Sequence, residues 1–404
     1  SKIIDIIEHS ENKKTKAEKF ITRFSKIYTP IVVLLALLVV IIPSLLGANF
    51  DTWLYRALEM LVISCPCALV ISVPLGYFSG IGRCSKEGIL VKGSNILDDL
   101  LTIDTIIFDK TGTITEGVFE VTKIHSVNNN NDEILKLAVS AEANSNHPIA
   151  KSIKNAYDKK INCKITNFKE ISGLGICDNS DKNKILVGGN KKFLEKNKIE
   201  IENNKEVGTI VYIAKNNQFL GYIVISDKIK ENVKENLNDL KHEEIKSLIM
   251  LSGDDDVIVK NIANNLKLDK SFGNLLPQDK VDILNSYKKN TKVAFVGDGI
   301  NDAPVIKLAD VGIAMGGIGS DATIEASDIV LMQDKLEKLV DVIKISKITK
   351  KIVLTNIIFA ISFKVIMLIL AIFGITPIWL AIFADVGVTL LSVLNSLRIF
   401  KTKI

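Results

Sequence analysis

The chain has 404 residues, of which 47% are hydrophobic and 24% are charged, and its formal net charge is +5. A chain of this length can form two or three domains, and the mixture of apolar and charged residues indicates membrane spans joined to a charged soluble body. Its 51 Lys and Arg residues form no cluster interleaved with aromatic side chains, so we expect no nucleic acid as a partner.

Four apolar runs are long enough to cross a membrane. They cover residues 31–48, 60–81, 352–373 and 378–397. Lys and Arg flank the ends of these runs that lead to the termini and to the central segment, whereas the two short loops at the opposite ends contain only Arg56. The positive-inside rule therefore predicts a multi-pass protein of the plasma (inner) membrane, surrounded by membrane lipid, with both termini and the central segment in the cytoplasm.

The second run contains the sequence Cys65-Pro66-Cys67. In a regular helix, side chains two positions apart point about 200° away from each other, so the two sulfur atoms could not bind one ion. Proline removes a backbone hydrogen bond and clashes with the preceding turn, which should open the helix and bring both sulfurs to one cavity at membrane depth. Paired thiolates select soft or borderline metal ions over Na⁺, K⁺ or Ca²⁺. We therefore expect a metal site here and, because the five cysteines show no spacing typical of a disulfide framework, free thiols.

A buried strand is predicted over residues 105–108, and Asp109 follows it at the start of the sequence Asp-Lys-Thr-Gly-Thr. Ligands bind at the carboxyl ends of such strands in open α/β sheets, where a carboxylate can attack a phosphoryl group. The turn that follows offers backbone N–H groups and hydroxyls to the phosphoryl oxygens. Soluble phosphatases of the haloacid dehalogenase type usually have a second Asp two positions later. Thr111 stands there instead, so no local carboxyl would hasten hydrolysis of an aspartyl phosphate, and together with the spans this excludes a soluble phosphatase.

Short apolar runs that end in Gly- and Asp-rich turns recur along the central segment, at residues 248–251, 293–296, 311–314 and 329–332. Such runs are typical of strands buried on both faces of a doubly wound parallel sheet. Residues 117–225 differ, because they are rich in Asn and Lys and contain alternating strand patterns. We therefore predict α/β cytoplasmic catalytic domains of the doubly wound, haloacid-dehalogenase-like kind with an inserted α+β domain, joined to an α-helical transmembrane bundle of four spans.

Two carboxylates follow the strand that ends at Val296. Mg²⁺ prefers hard oxygen ligands in octahedral geometry and must connect Asp109 to the transferred phosphate. Asp298 is the preferred candidate for a protein ligand of this Mg²⁺. Asp109 and Thr111 would also contribute to the site, and Asp302 would be an outer or alternative ligand.

Two further turns carry groups suited to phosphate. The hydroxyl and N–H groups of Ser252, Gly253 and Asp254 follow another apolar strand and would hold phosphoryl oxygens. Lys280 would neutralise charge on the transferring phosphate. Each of these motifs alone occurs in many turns of unrelated proteins. In this order, each after an apolar strand, they indicate a phosphoryl-transfer site.

Taken together, the sequences Asp109–Thr113, Ser252–Asp254 and Gly297–Pro304 resemble the phosphorylation, T/S-G-D and hinge motifs of P-type ATPases. With the Cys-Pro-Cys sequence, the chain resembles the heavy-metal-transporting members of that family over essentially its whole length. The resemblance implies that the Asp of the first motif takes the γ-phosphate of ATP in the presence of Mg²⁺ and that Asn301 bonds a phosphate oxygen.

The resemblance also implies that the inserted domain binds ATP. The sequence Glu-Ala-Asn-Ser-Asn-His-Pro resembles the S-x-H-P motif of the heavy-metal pumps, in which Glu142 and His147 would contact adenine. Gly173 and Gly175 match the G-x-G of the family, and Gly188 lies in a similar turn, so that the backbone could approach the nucleotide closely.

Lys364 and Asp385 lie inside the last two apolar runs, where a charged side chain is costly unless it is paired or functional. The sequence Asp-Val-Gly that starts at Asp385 resembles the Asp-x-Gly of zinc-, cadmium- and lead-exporting members, whereas the Tyr-Asn and Met-x-x-Ser sequences usual in copper exporters do not occur in these runs. Cys65, Cys67 and Asp385 would then bind Zn²⁺, Cd²⁺ or Pb²⁺, and Lys364 would pair with Asp385 when the metal leaves. The alternative is a salt bridge that only holds two helices together.

The predicted organisation is a cytoplasmic lead-in, a transmembrane hairpin, a phosphorylation domain in two segments, a nucleotide-binding domain and a second transmembrane hairpin, at residues 1–27, 28–82, 83–116 with 226–346, 117–225 and 347–404. The metal-binding modules, first spans and actuator domain of the family, with its Thr-Gly-Glu, are not found in the sequence. We therefore expect a partial pump of bacterial type whose partner is the missing N-terminal half. Two interpretations stay open, namely the catalytic and partial transport portion of a metal exporter, or a non-pumping membrane fragment or metal-binding regulatory subunit that is phosphorylated without turnover.

Overall fold

The computed structural model describes residues 16–128, 130–143, 145, 148–158, 168–171, 175–180, 183–188, 194, 198–201, 206, 208–298, 302–316, 321–375 and 378–403. The chain divides into two compact units. The first unit consists of Ser1–Ile107, Glu235–Leu248 and Lys280–Ile404, and the second of Phe108–Lys234 and Ile249–Asp279.

The helices and strands are, in chain order, α1 (Lys16–Leu45), α2 (Phe50–Ile63), α3 (Cys67–Lys86), β1 (Ile89–Val91), α4 (Ser94–Leu100), β2 (Thr105–Asp109), β3 (Thr115–Ser126), α5 (Asn131–Glu142), α6 (Pro148–Asn155), β4 (Phe168–Ile171), β5 (Gly175–Ser180), β6 (Asn183–Gly188), β7 (Thr209–Lys215), β8 (Gln218–Ile229), α7 (Val233–His242), β9 (Ser247–Leu251), α8 (Asp256–Leu266), β10 (Lys270–Phe272), α9 (Pro277–Lys288), β11 (Val293–Gly297), α10 (Ala303–Leu308), β12 (Val311–Met315), α11 (Asp321–Ala326), β13 (Ile329–Leu331), α12 (Glu337–Ile372), α13 (Ile378–Ile382) and α14 (Val388–Leu397). A π-helical turn (Phe383–Gly387) joins α13 to α14, and a 3₁₀ turn (Arg398–Phe400) follows α14.

Within the described residues, four helical segments of the first unit are long and apolar enough to cross a membrane. They are Lys26–Leu45, Phe50–Lys86, Glu337–Ile372 and Phe383–Phe400, and each overlaps one of the four predicted spans. The third corresponds to α12, which has 36 residues. At about 1.5 Å per residue, α12 is about 54 Å long and exceeds the roughly 30 Å hydrocarbon layer, so it continues beyond the membrane.

The predicted interruption of the second span is present at Pro66. Helix α2 ends at Ile63 and α3 begins at Cys67. The N–H of Cys65 donates to the carbonyl oxygen of Val62 at 3.4 Å, but proline has no N–H with which to continue the ladder. The span is therefore two helices joined by an irregular turn, as expected where backbone at membrane depth lines a site.

A seven-stranded sheet has the order β1-β13-β12-β11-β2-β9-β10. Strands β11, β12 and β13 are parallel, as are β9 and β10, whereas the edge strand β1 runs antiparallel to β13. All residues of β2, β11 and β12 are buried, as expected for strands covered on both faces. The doubly wound α/β fold predicted from the apolar runs is confirmed, with β1 added at its edge.

The second unit contains a six-stranded antiparallel sheet with the order β3-β8-β7-β6-β5-β4. Helices α5 and α6 pack on it through a core in which Ile134, Ala138 and Ile153 meet Val187 and Ile223. The predicted inserted α+β domain is therefore present. Strands β3 and β8 both extend past the boundaries expected at residues 117 and 225, and those boundaries stay predictions.

Candidate active site and membrane metal centre

The candidate phosphorylation site is the turn that follows β2, residues Lys110–Ile114. Asp109 is the last residue of that strand and is 5% exposed. In the turn, Thr111 is extended and exposed, while Gly112 has a φ of +73°, a left-handed conformation that favours glycine. The chain therefore turns directly after Asp109, and Thr111 stays at the surface.

Lys110 connects this turn to two other segments of the second unit. Its Nζ lies 3.1 Å from Asp227 Oδ2, near the end of β8, and 2.7 Å from Asp254 Oδ2. Burial lowers the pKa of Lys110, but hydrogen bonds and charges from Asp254 and Asp227 outweigh this effect and hold the pKa above its ordinary value. The ammonium is therefore charged and fixed at neutral pH.

Three residues that hold the turn were not identified from the sequence. The single hydroxyl proton of Thr115 is shared between a carboxylate oxygen of Asp227 and the carbonyl oxygen of Lys110, the latter 3.0 Å from Oγ1. Lys230 Nζ donates to the carbonyl oxygen of Gly112. The available signal is that Asp227 and Lys230 follow the apolar part of β8, just as Asp109 follows the apolar part of β2.

The predicted phosphate-binding turn after β9 is brought to Lys110 through Asp254. Ser252 is buried, and its Oγ accepts the N–H of Asp254 at 3.1 Å. A Cβ added to Gly253 would lie 3.3 Å from the carbonyl oxygen of Leu275, which is tighter than ordinary packing. The turn is thus held in one shape by its own hydroxyl and by the segment that passes beside it.

In the first unit, Asp298 directly follows β11, the strand next to β2 in the sheet. One carboxylate oxygen of Asp298 and one of Asp302 lie within 4.8 Å of each other, a spacing that one cation could bridge. Lys280 Nζ lies 2.8 Å from Asp302 Oδ1, and the two side chains are 12% and 5% exposed. The sequence did not predict this ion pair. Asn301 lies outside the described residues.

Of the predicted nucleotide-binding residues, Glu142, Gly175 and Gly188 belong to the part of the chain that the structure describes, whereas His147 and Gly173 lie outside it. Glu142 is buried at the end of α5. Gly175 begins β5 and Gly188 ends β6, and the register of these two strands places both glycines at the same end of the pair. The structure therefore groups the two described glycines.

A cavity of about 620 Å³ lies beside Lys110 within the second unit. Its wall is formed by β3, β8 and α8, with apolar side chains such as Phe119 and Ile258 and, at one side, Asp227 and Asp254. Among the described residues, none of those predicted to bind adenine lines this cavity.

In the membrane helices, Cys65, Cys67 and Asp385 come together. One sulfur or carboxylate oxygen from each lies within 4.8 Å of the other two. The cysteines flank the interruption between α2 and α3, and Asp385 lies in the π-helical turn, a distortion that occurs frequently at functional sites. Two sulfurs and one carboxylate are a donor set that suits a borderline divalent metal.

The expectation of free thiols at this site is wrong for this structure, in which Cys65 and Cys67 form a disulfide. The physical reason is that the interruption at Pro66 turns both side chains to the same side. The same geometry makes the two cysteines candidate ligands of one metal ion. The two sulfurs could hold a metal only after reduction to thiols, since the thiolate is the ligand.

Lys364 lies against this centre. Its Nζ is 3.2 Å from Asp385 Oδ1 and 3.4 Å from the carbonyl oxygen of Ile63, the last residue of α2. Lys364 is only 6% exposed. One buried ammonium therefore joins α12 both to the π-helical turn and to the end of the interrupted helix.

Comparison with known proteins relates the chain to a hydrolase family and to metal-transporting ATPases. Residues 103–310 match the haloacid dehalogenase-like hydrolases. The chain is 45% identical to a zinc-transporting ATPase of Synechocystis, over 99% of its own length and 56% of that protein. It is 46% identical to a cadmium, zinc and cobalt-transporting ATPase of Bacillus subtilis, over 100% and 58%. The chain thus spans a little more than half the length of these relatives.

Two solved structures are similar as well. A zinc-transporting PIB-type ATPase in the E2·Pi state has a TM-score of 0.83 and 33% identity, over 99% of this chain and 67% of that one. The catalytic domain of the CPx-ATPase CopB-B has a TM-score of 0.53 and 34% identity, over 65% of this chain and 98% of that one. The first similarity includes the membrane helices, and the second covers almost all of a catalytic domain.

Proposed function

Because the chain belongs to the PIB-type, heavy-metal-transporting ATPases and contains a haloacid dehalogenase-like domain, we propose that it provides the catalytic domains and part of the metal path of an ATP-driven exporter of Zn²⁺ or Cd²⁺. The observation that carries this proposal is the grouping of Cys65, Cys67 and Asp385 among the membrane helices. Reduced to thiolates, the two sulfurs select a soft or borderline ion, and Pb²⁺ belongs to the same class.

The ion pair of Lys364 with Asp385 supports a mechanism for release. Two thiolates and one carboxylate carry three negative charges, and a bound divalent ion offsets two of them. After the ion leaves, the thiols can take up protons, and the ammonium of Lys364 can neutralise Asp385, as it does at 3.2 Å in this structure. Lys364 therefore competes with the metal for the carboxylate and favours its departure.

We assign Asp109 as the nucleophile of phosphoryl transfer. One of its carboxylate oxygens would form a bond to the γ-phosphorus of ATP while the bond from that phosphorus to the β–γ bridging oxygen breaks and ADP leaves. Asp298, with Asp109, Thr111 and Asp302, would hold Mg²⁺, which supplies positive charge at the transferring group. Lys280, paired with Asp302 here, would add to that charge.

The remaining polar groups would hold the phosphoryl oxygens. Ser252 and Gly253 offer a hydroxyl and a backbone N–H in a turn of fixed shape, and Asn301 offers an amide. The hydroxyl of Thr111 is a poor general base compared with a carboxylate, so the aspartyl phosphate would persist long enough to be coupled to transport. Its hydrolysis would be assisted by the remainder of a full-length pump, which we propose as partner.

ATP would bind the inserted domain. We propose that Glu142 and His147 contact the adenine and that Gly173, Gly175 and Gly188 allow close approach of the backbone. Since ATP is a cytoplasmic substrate, the catalytic domains and both termini would lie in the cytoplasm, with the spans in the inner (plasma) membrane of a bacterium.

Binding of Zn²⁺ to the reduced chain in detergent tests the metal site. The parent chain should bind one ion with high affinity, and Cys65→Ala, Cys67→Ala and Asp385→Ala should lose that affinity. Cys84→Ala, which removes a buried cysteine outside the site, should keep it. Unchanged one-site binding in all three ligand variants would refute the site.

Phosphorylation by γ-labelled ATP and Mg²⁺ tests the catalytic proposal. The label should be acid-stable and hydroxylamine-labile, as an acyl phosphate is, should decay slowly, and should be absent in Asp109→Asn. A label that survives this substitution would show that the nucleophile lies elsewhere.

A further inference from the structure

A buried amide on α12 is hydrogen-bonded to α14. Asn356 is 2% exposed, and its Nδ2 donates to the carbonyl oxygen of Ser392 at 3.0 Å and to Ser396 Oγ at 2.9 Å. Its Oδ1 accepts a side-chain N–H of Asn395 at 2.8 Å. Both N–H groups of the amide and its oxygen are therefore used. Together these three bonds fix the rotation and the axial position of α14 against α12.

The same level of the helices is tightly packed against α3. Ser396 Oγ lies 3.5 Å from the carbonyl oxygen of Ser72, a residue of α3. A Cβ added to Gly76, one turn further along α3, would lie 2.5 Å from Val353 Cγ2 of α12. Helices α3 and α12 are thus in close contact here, which favours a role of these polar groups in holding the helices over a role in conducting the ion.

These hydrogen bonds lie two helical turns from the metal centre. On α12, Lys364 follows Asn356 by eight positions. In the last span, Asp385 precedes Ser392 by seven positions, so the separation is about 10–12 Å along each helix. Thr389 Oγ1, in the first turn of α14, donates to the carbonyl oxygen of Asp385 at 2.6 Å. A rotation of α14 therefore carries Asp385 with it.

A carboxylate ligand tolerates little displacement. Bonds from Zn²⁺ to carboxylate oxygens are about 2.0–2.2 Å long, and a binding site needs its ligands within roughly 0.5 Å of the productive geometry. The end of a side chain lies about 5–6 Å from the helix axis, so a rotation of α14 by roughly 10° would move the carboxylate of Asp385 by about 1 Å. The angle at which α14 is held therefore decides whether Asp385 reaches an ion bound by the two sulfurs.

We propose that Asn356 is a positioning residue that presents Asp385 to the transported metal ion. This inference rests on the proposed function, because it concerns the same metal site. The ion pair of Lys364 with Asp385 cannot fill this role, since it must open when the metal takes the carboxylate. The hydrogen bonds of Asn356 carry no net charge and involve no metal ligand, so they hold α14 in place while the ion pair opens.

The chain offers a matched control on the same helix. Thr349 is also buried on α12, but its side chain packs beside Gly80 of α3. The full chain, reduced and in detergent, would be compared as parent, Asn356→Ala, Asn395→Ala, Thr349→Ala, Asp385→Ala and the double variant Asn356→Ala/Asp385→Ala. Affinities for Zn²⁺ and Cd²⁺ would be measured by competition with a chromophoric chelator, and the folded fraction by thermal unfolding.

Asn356→Ala should weaken Zn²⁺ binding about 10-fold, as is typical when a group that orients a ligand is lost. Cd²⁺ is softer and depends more on the thiolates, so its affinity should fall less. Asn395→Ala removes one of the three bonds and should have a smaller effect, and Thr349→Ala should match the parent. Two thiolates still bind Zn²⁺ weakly in Asp385→Ala, and adding Asn356→Ala there should cause no further loss, because the carboxylate through which it acts is gone.

Parent-like Zn²⁺ affinity in Asn356→Ala would overturn the inference, as would equal losses for Zn²⁺ and Cd²⁺ or an equal loss in Thr349→Ala. It would also be overturned if the two losses added in the double variant, or if the loss vanished after correction for the folded fraction. A reduced parent chain that binds no Zn²⁺ would instead overturn the proposed metal site, and this inference with it.

Discussion

Replacing Lys364 by Met removes the positive partner of Asp385 among the membrane helices. The Nζ–Oδ1 distance is 3.2 Å, and the side chains are 7% and 20% exposed, so solvent screens the pair little. With an effective dielectric constant of about 20, the attraction between the two charges is about 5 kcal/mol. Removing one partner of a buried pair typically costs about 3–5 kcal/mol, because the other charge stays buried. We expect Lys364→Met to lower the free energy of unfolding of the metal-free chain by that amount.

The double variant Lys364→Met/Asp385→Asn tests whether charge is the cause. With neither charge present, no unpaired ion remains, and replacement of a buried pair by neutral groups is often without net cost. The double variant should therefore recover most of the loss. Lys347→Met, on the same helix but with a 37% exposed side chain paired to Glu243, should change stability little.

The assay is thermal and denaturant unfolding in detergent, followed by circular dichroism, for the parent, both single variants, the double variant and the control. A double variant as unstable as Lys364→Met alone would contradict the reasoning, since the lost contribution would then be packing of the long side chain. A control as damaging as Lys364→Met would contradict it too, because loss of any lysine from α12 would then suffice.

Three further predictions concern zinc binding, the packing of two helices and stability in acid. Lys364→Met should bind Zn²⁺ more tightly than the reduced parent chain in equilibrium titration, because the ammonium no longer competes for the carboxylate, and weaker binding would contradict that role. A Cβ at Gly80 would lie 2.5 Å from Thr349 Oγ1, so Gly80→Ala should lower the free energy of unfolding by about 1–3 kcal/mol. Adding Thr349→Ala to the same chain should restore the free energy of unfolding. A Gly80→Ala chain as stable as the parent would rule out this close packing. Burial raises the pKa of Asp310, but hydrogen bonds from Lys292 and a backbone N–H outweigh it and lower the pKa below its ordinary value. The stability that Asp310 contributes is therefore present above its unfolded-state pKa of about 3.9 and is lost as the pH falls towards the folded-state pKa. In a pH series of unfolding measurements, Asp310→Asn should lose less stability in acid than the parent chain. Equal losses would contradict the lowered pKa.

The sequence predicted those features that depend on residues close to one another along the chain. The membrane spans follow from long apolar runs, and the strands of the doubly wound sheet from short apolar runs that end in turns. The interruption at Pro66 follows from the missing N–H of proline, whatever surrounds it. The antiparallel edge strand β1 was not predicted, because three residues carry too little pattern to separate a strand from a loop.

The residues of the candidate metal site could be predicted from the sequence, but the bond between its two sulfur atoms could not. Proline between Cys65 and Cys67 indicated that both sulfurs turn to one side, and the structure places them with Asp385. That the two sulfurs are bonded to each other could not be read from the sequence, because the spacing that suits a shared metal also suits a disulfide.

From the sequence alone, the partner of a charged residue can be identified only where charged residues are scarce. Inside the spans, Lys364 and Asp385 had few alternatives, since uncompensated charge at membrane depth is costly, and they are paired in the structure. In the soluble domains, most of the 51 basic and 46 acidic residues could have paired in many ways. The contact between Lys110 and Asp227, 117 positions apart, could not be inferred in this way, because it depends on how the strands are ordered and in which register they pair.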